Sequence, residues 1–112
     1  MKIAISASGP GLQSGVDLRF GRASCFVIVD LDNGAVSTSD NAGNQSAAQG
    51  AGIQTVKTVV DSGATTVITG NVGPKALAAL QAAGIHVLQV AGGSTVQQAV
   101  EQFKQGRLNP LR

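Results

Sequence analysis

Apolar positions come in short β-branched runs early in the chain and in helical stripes later. Ile3 and Ile5 predict a buried strand over Lys2–Ala7. The dense run Phe26-Val27-Ile28-Val29 predicts a second strand over Cys25–Leu31. Asp32-Asn33-Gly34 is a hairpin signal, so a third strand should follow over Ala35–Ser39, short and Ser/Thr-rich as a sheet edge is. Ser46 and Gln49 have capping-box spacing. The helix they open carries Ile53, Val56, Val59 and Val60 near one face and stops at Gly63. Thr66–Thr69 predicts a fourth strand. Pro74 sits where a helix takes its first residue, with Ala76, Leu77, Leu80 and Ala83 lining that helix and Gly84 ending it. Ile85–Val90 predicts a fifth strand. Ser94 and Gln97 form another capping-box pattern, and Val96, Ala99, Val100 and Phe103 give an i, i+3, i+4, i+7 stripe closed by Gly106. Arg107–Arg112 reads as a loose tail.

The order βββαβαβα predicts one α/β domain with three helices. The hairpin makes strands 2 and 3 antiparallel, while the two strand–helix–strand crossovers give parallel neighbours of right-handed connection. No helix separates strands 1 and 2, so these too should be antiparallel. The expectation is a five-stranded mixed sheet of order 3-2-1-4-5, counted along the chain, with strand 2 reversed. Segments Gly9–Gly15, Arg19–Cys25, Asp40–Asn44, Gly70–Gly73 and Gly92-Gly93 then gather at one rim. The boundary between strands 1 and 4 is the switch point where ligands bind in such sheets. His86 opens the fifth strand, at the opposite rim from Cys25.

Composition narrows the chemistry. At 112 residues and 43% hydrophobic content, the chain suits a single domain over 1–106 with a tail at 107–112. The lone Cys25 forms no internal disulfide. The start, Met1 to Ser6, turns polar at once, unlike a signal peptide. With no apolar run near the ~20 residues of a membrane span, a cytoplasmic protein without membrane contact is expected. A polar, short third strand favours a monomer. Net charge is +2, the basic residues are scattered, and Trp and Tyr are absent, which disfavours nucleic-acid binding. Lys2–Ala7 has no acid for two-metal nuclease chemistry. His86 lies at the wrong rim for a Ser-His-acid triad. One Cys and one His cannot build a structural zinc site. A non-enzyme is expected.

What remains points to an anion. Gly73 precedes a helix whose first N–H groups are free to bind one, and Lys75 puts a cation where the helix dipole opposes it, which an anion would explain. The alternative for Lys75 is an ordinary solvated side chain. Gly9 and Gly11 permit close backbone approach, though a mobile surface loop fits as well. Arg19 and Arg22 flank Phe20-Gly21 and suit an oxyanion or sulfide-rich cluster, or else are solvated. Cys25 could ligate iron or be a small buried hydrophobe.

Asp17-x-Arg19-Phe20-Gly21-Arg22-Ala23-x-x-Phe26 resembles the D-x-x-F-G-R-A-x-x-F signature of the dinitrogenase iron–molybdenum cofactor biosynthesis family, which includes NifX-like carriers and the NifB C-terminal domain. Thr69-Gly70-Asn71-Val72-Gly73-Pro74, then Leu80 and Gly84-Ile85, looks like its second landmark, and Phe103-x-x-Gly106-x-Leu108 its closing one. The resemblance spans nearly the whole chain. It implies a three-layer, ribonuclease H-like fold without nuclease activity, and transient binding of an iron–sulfur cluster or iron–molybdenum cofactor, with metallocluster assembly proteins as partners. Relatives of this type often carry His where this chain has Arg19. Gly9, Gly11, Arg19, Gly21, Arg22, Asn71, Gly73 and Lys75 are the expected binding residues, with Cys25 as a possible metal ligand. The rival expectation is a small regulatory or interaction module that binds an anion or a partner protein without metal.

Overall fold

Alternation along the strands sorts the core onto two faces of one sheet. The computed structural model describes residues 1–41 and 51–111. Strand β1 (Lys2–Ala7) is central. It pairs antiparallel with β2 (Cys25–Asp30), from Lys2 opposite Asp30 to Ala7 opposite Cys25. On its other side it runs parallel to β4 (Thr66–Thr69), with Ile3 opposite Thr66. β3 (Val36–Asp40) adds antiparallel to β2, and β5 (His86–Gln89) parallel to β4. β1, β2 and β4 are buried on both faces, which accounts for their near-continuous apolar sequence.

Helices α1 (Ala51–Asp61) and α2 (Pro74–Ala82) cover one face. There Ala4, Phe20, Phe26, Ile28, Val59, Val67 and Leu80 form a cluster, with Phe20 and Phe26 in an edge-to-face pair at 5.5 Å. Helix α3 (Val96–Lys104) covers the other, over Ile3, Ile5, Val27, Ile68, Val96 and Ala99. The result is a three-layer α/β fold with a mixed sheet. Among the described residues, no helix is long and apolar enough to cross a membrane.

The sheet has a sixth strand. β6 (Asn109–Pro110) pairs antiparallel with β5, Gln89 opposite Asn109, giving the order β3-β2-β1-β4-β5-β6. The segment expected to be a loose tail is tied down: Arg107 N–H donates to the Gln102 carbonyl (3.0 Å) and Leu111 N–H to Val87 (2.9 Å). The unpaired edge of β5 supplies the free backbone groups that capture it.

Other details shift. β2 stops at Asp30 because its N–H and carbonyl close the turn, accepting from Gly34 and donating to Ala35 (both 2.8 Å); Gly34 takes φ +75°, which explains the glycine. β3 begins at Val36, and β5 covers only His86–Gln89. In α1, Val56 and Val59 are buried, but Ile53 and Val60 are nearly half exposed; buried Thr55 occupies the core-facing stripe instead. The α3 capping box forms one residue later than expected, with Thr95 Oγ1 accepting from Gln98 N–H (3.2 Å) and Gln98 Oε1 accepting from Thr95 N–H (2.9 Å). Ser94 and Gln97 are otherwise engaged, Ser94 through its carbonyl to Val16 N–H (2.9 Å) and Gln97 through its side chain to Gln13 (2.7 Å). The Ser46–Gln49 box lies outside the described residues.

Candidate functional site

The rim at the C-terminal ends of β1 and β4 is where the loops meet. Phe20 N–H donates to the Asn71 carbonyl (3.1 Å), and Asn71 N–H to the Leu18 carbonyl (2.6 Å). These bonds bring the Arg19–Arg22 segment and the turn before Pro74 onto one rim. Below them, the buried Ser6 hydroxyl lies within hydrogen-bond distance of the Asp17 carbonyl (2.5 Å) and the Thr69 hydroxyl (2.8 Å). At the far side of the rim, buried Asn41 donates from Nδ2 to Ala23 (2.8 Å) and accepts at Oδ1 from Thr55 (3.1 Å), joining the end of β3 to the same segment and to α1.

The glycines divide by cause. A Cβ on Gly70 would lie 2.6 Å from the Leu18 Cβ and 2.8 Å from its carbonyl oxygen, so this glycine admits Leu18 and its backbone. Gly92 does so more weakly, at 3.1 Å from Leu18 Cδ1. Gly73 is different. Its φ of −63° and ψ of 156° suit any residue, and a Cβ there would have nothing within 4 Å. It is the N-cap of α2, no side chain caps that helix, and exposed Lys75 stands in its first turn.

The Gly9–Gly15 loop is hydrogen-bonded both within itself and to the start of α3. Ser8 N–H donates to Gly15 (3.0 Å), and the Ser14 hydroxyl to Pro10 (2.6 Å). Its Ser14 and Leu12 carbonyls accept from Val96 N–H (2.8 Å) and Gln97 N–H (2.9 Å). The loop thus satisfies the first N–H groups of α3, a role the sequence reading missed. Gly11 has φ +88° and turns the chain within it.

The charged candidates also separate. Arg19 reaches Asp17 through Nε (3.3 Å) and an Nη (3.3 Å), while Asp17 Oδ1 accepts from Arg19 N–H (2.9 Å). Asp17 is largely buried and Arg19 exposed. Arg19 therefore already has a counter-ion. Arg22 is half-buried, with its N–H donating to the Arg19 carbonyl (3.3 Å), and half-buried Gly21 lies in the same turn. Cys25 is 5% exposed, inside the α3-side core, and its thiol lies 3.9 Å from the Ala7 carbonyl. Burial, and secondarily the Asp40 charge, push its pKa up. That direction is the reverse of the shift that makes a thiol a good metal ligand. Among the described residues no three His, Cys, Asp or Glu side chains group to hold a metal ion. His86 is exposed at the opposite rim, where β5 begins.

This arrangement tests the fit of a metal–sulfur cluster. The rim offers cations, backbone N–H groups and an unfilled space at Gly73, and lacks an available thiolate. It suits an anionic cluster held by charge and hydrogen bonds better than one ligated by protein sulfur.

Known proteins resemble this chain over nearly its whole length. The family model described as dinitrogenase iron–molybdenum cofactor matches residues 1–106. The apo form of the orange protein from Desulfovibrio gigas superposes with a TM-score of 0.94 at 47% identity, over 99% of this chain and 96% of that one. A candidate NifB protein from Thermotoga follows at 0.86 and 39%, over 98% and 92%. An uncharacterized protein of Methanocaldococcus jannaschii is 27% identical over 110 residues, 96% of this chain and 89% of its own length.

Proposed function

The chain belongs to the dinitrogenase iron–molybdenum cofactor family, and from that premise we propose that it is a non-catalytic accessory protein that carries an anionic iron–sulfur or iron–molybdenum cluster during metallocluster assembly. The observation that carries this reading is the pairing of Phe20 with Asn71, which joins the Arg19–Arg22 segment to the uncapped start of α2. Backbone N–H groups after Gly73, with Lys75 and Arg22, would hold the cluster; Arg19 joins them only by leaving Asp17. Gly9 and Gly11 support the site indirectly, by fixing the loop that caps α3. Cys25 stays outside it. The description of the similar Desulfovibrio protein as an apo form supports a reversibly held group. We read the sheet order as ribonuclease H-like, with no carboxylate on β1 for nuclease chemistry, and the protein as a cytoplasmic monomer whose partners are cluster-assembly proteins.

Anaerobic reconstitution with iron and sulfide, with and without molybdate, tests this. Without Trp or Tyr, the protein leaves a clean near-ultraviolet window. Absorption that co-elutes with the chain is expected, and it should persist in Cys25→Ser and fall in Lys75→Gln. A chain that stays colourless with every cluster offered refutes the carrier reading and favours a module for a metal-free anion or partner. Loss of colour in Cys25→Ser alone would return the thiol to the site.

A further inference from the structure

Beside the same rim lies a cleft of about 480 Å³, within the usual range of small-ligand pockets. Its walls come from the Leu18 segment, the β4–α2 turn, the end of β5, and the C-terminal run Arg107-Leu108-Asn109. The captured strand β6 therefore makes this cleft; a loose tail would leave it open on one side.

The lining is unusual in charge. Arg107 is its one charged side chain, and no Asp or Glu lines it. Among the described residues Arg107 has no ion-pair partner. Asn71, Gln89, Gln102 and Asn109 also line it. Gln89 is fixed in place, its Nε2 donating to the Gly70 carbonyl (3.2 Å), which leaves Oε1 to accept. Asn109 sits opposite Gln89 in the β5–β6 register. Leu18, Val90 and Leu108 supply apolar surface. One guanidinium matches one carboxylate in a two-bond fork. Neutral amides both donate and accept, which matches hydroxyl groups and not dense negative charge. Apolar surface matches a carbon skeleton.

We infer that this cleft binds a small hydroxylated carboxylic acid, with Arg107 taking a carboxylate and the surrounding amides its hydroxyl groups. The site needs no metal–sulfur cluster and stands apart from the carrier reading. Glycerate, with one carboxylate and two hydroxyl groups, serves as the probe, followed by ¹⁵N-correlated NMR, in which the cleft amides and Arg107 Nε–H report directly. Saturable shifts of the Gln89 and Asn109 side-chain signals are expected below roughly 10 mM glycerate. Arg107→Gln should weaken binding roughly tenfold to a hundredfold. Arg107→Lys, which keeps the charge and loses the fork, should fall between. Arg107 is exposed, so both variants should unfold at the wild-type temperature. Three results overturn the inference: no saturation, equal affinity in Arg107→Gln, or inorganic phosphate binding as tightly as glycerate.

Discussion

Adding one methyl group at Gly70 should destabilise the fold, and adding one at Gly73 should not. At Gly70 the new Cβ would stand 2.6 Å from Leu18 Cβ, 2.7 Å from Cδ2 and 2.8 Å from the carbonyl oxygen. The Cδ2 could rotate away. The Cβ and the oxygen cannot, because the oxygen accepts from Asn71 N–H at 2.6 Å. Relief requires the Leu18–Phe20 segment to move, which strains two backbone hydrogen bonds, Asn71 to Leu18 and Phe20 to Asn71. Overpacking together with weakened hydrogen bonds should cost about 2–4 kcal/mol. For a chain of this size that lowers Tm by roughly 8–16 °C. At Gly73 the backbone is already in a region open to alanine, and nothing lies within 4 Å. Gly73→Ala should be neutral or stabilise by about 0.4–1 kcal/mol, through the unfolded chain.

Urea titrations followed by far-ultraviolet circular dichroism would measure both. Adding Leu18→Ala to Gly70→Ala should restore only part of the loss, since the Cβ and oxygen contacts remain. A Gly70→Ala protein within about 0.5 kcal/mol of wild type would refute the close approach. Gly73→Ala destabilised as much as Gly70→Ala would show Gly73 to be a packing glycine, and would remove the space reserved for a ligand. Combined with reconstitution, the Gly73→Ala protein should fold well and hold its cluster poorly.

Three further expectations follow from single contacts. Asn41→Ala removes a buried side chain bonded to Ala23 and Thr55 and should destabilise by about 2–3 kcal/mol in the same urea assay. Thr95→Ala removes the α3 cap and should cost about 1 kcal/mol; Thr95→Ser should recover most of it. Cys25, whose folded pKa is raised by burial, contributes stability that is full below its unfolded pKa and lost as pH rises through the folded one. Stability should therefore fall between those values by up to about 1.4 kcal/mol per pH unit, and the slope should shrink in Cys25→Ala. Iodoacetamide at pH 8 should modify the thiol slowly in the folded protein and quickly in urea.

The strand order was legible because chain direction follows from connection type: one hairpin and two helical crossovers left little freedom at β1, β2, β4 and β5. β6 was not, because Asn109-Pro110 has no strand pattern of its own and pairs only since β5 offers an open edge. Ile53 and Val60 were misplaced for a related reason. A periodic stripe names a face, but the choice of Thr55 over Val60 as the buried neighbour depends on the Asn41 side chain waiting across the gap. The site was legible in position and not in wiring. The spacing of Asp17 and Arg19 carries the sign of their ion pair, and that was the available signal. Arg107 gave no signal until the tail was seen to return.

Two helix starts share the rim, and their difference constrains the ligand. The first N–H groups of α3 are consumed by Leu12, Ser14 and Thr95. The start of α2 has no side-chain cap and carries Lys75. An anion at the rim therefore gains little from α3 and meets a favourable dipole at α2. Arg19 can join it only by exchanging Asp17, and a pair whose Arg19 side is exposed and screened by solvent is worth on the order of 1 kcal/mol. A multiply charged cluster would overcome that easily, while a singly charged anion gains too little. Recruitment of Arg19 should thus depend on ligand charge, and Asp17→Asn, by releasing Arg19 in advance, should strengthen binding of a weakly charged anion more than that of a highly charged cluster. Equal effects on both would mean that Arg19 never takes part.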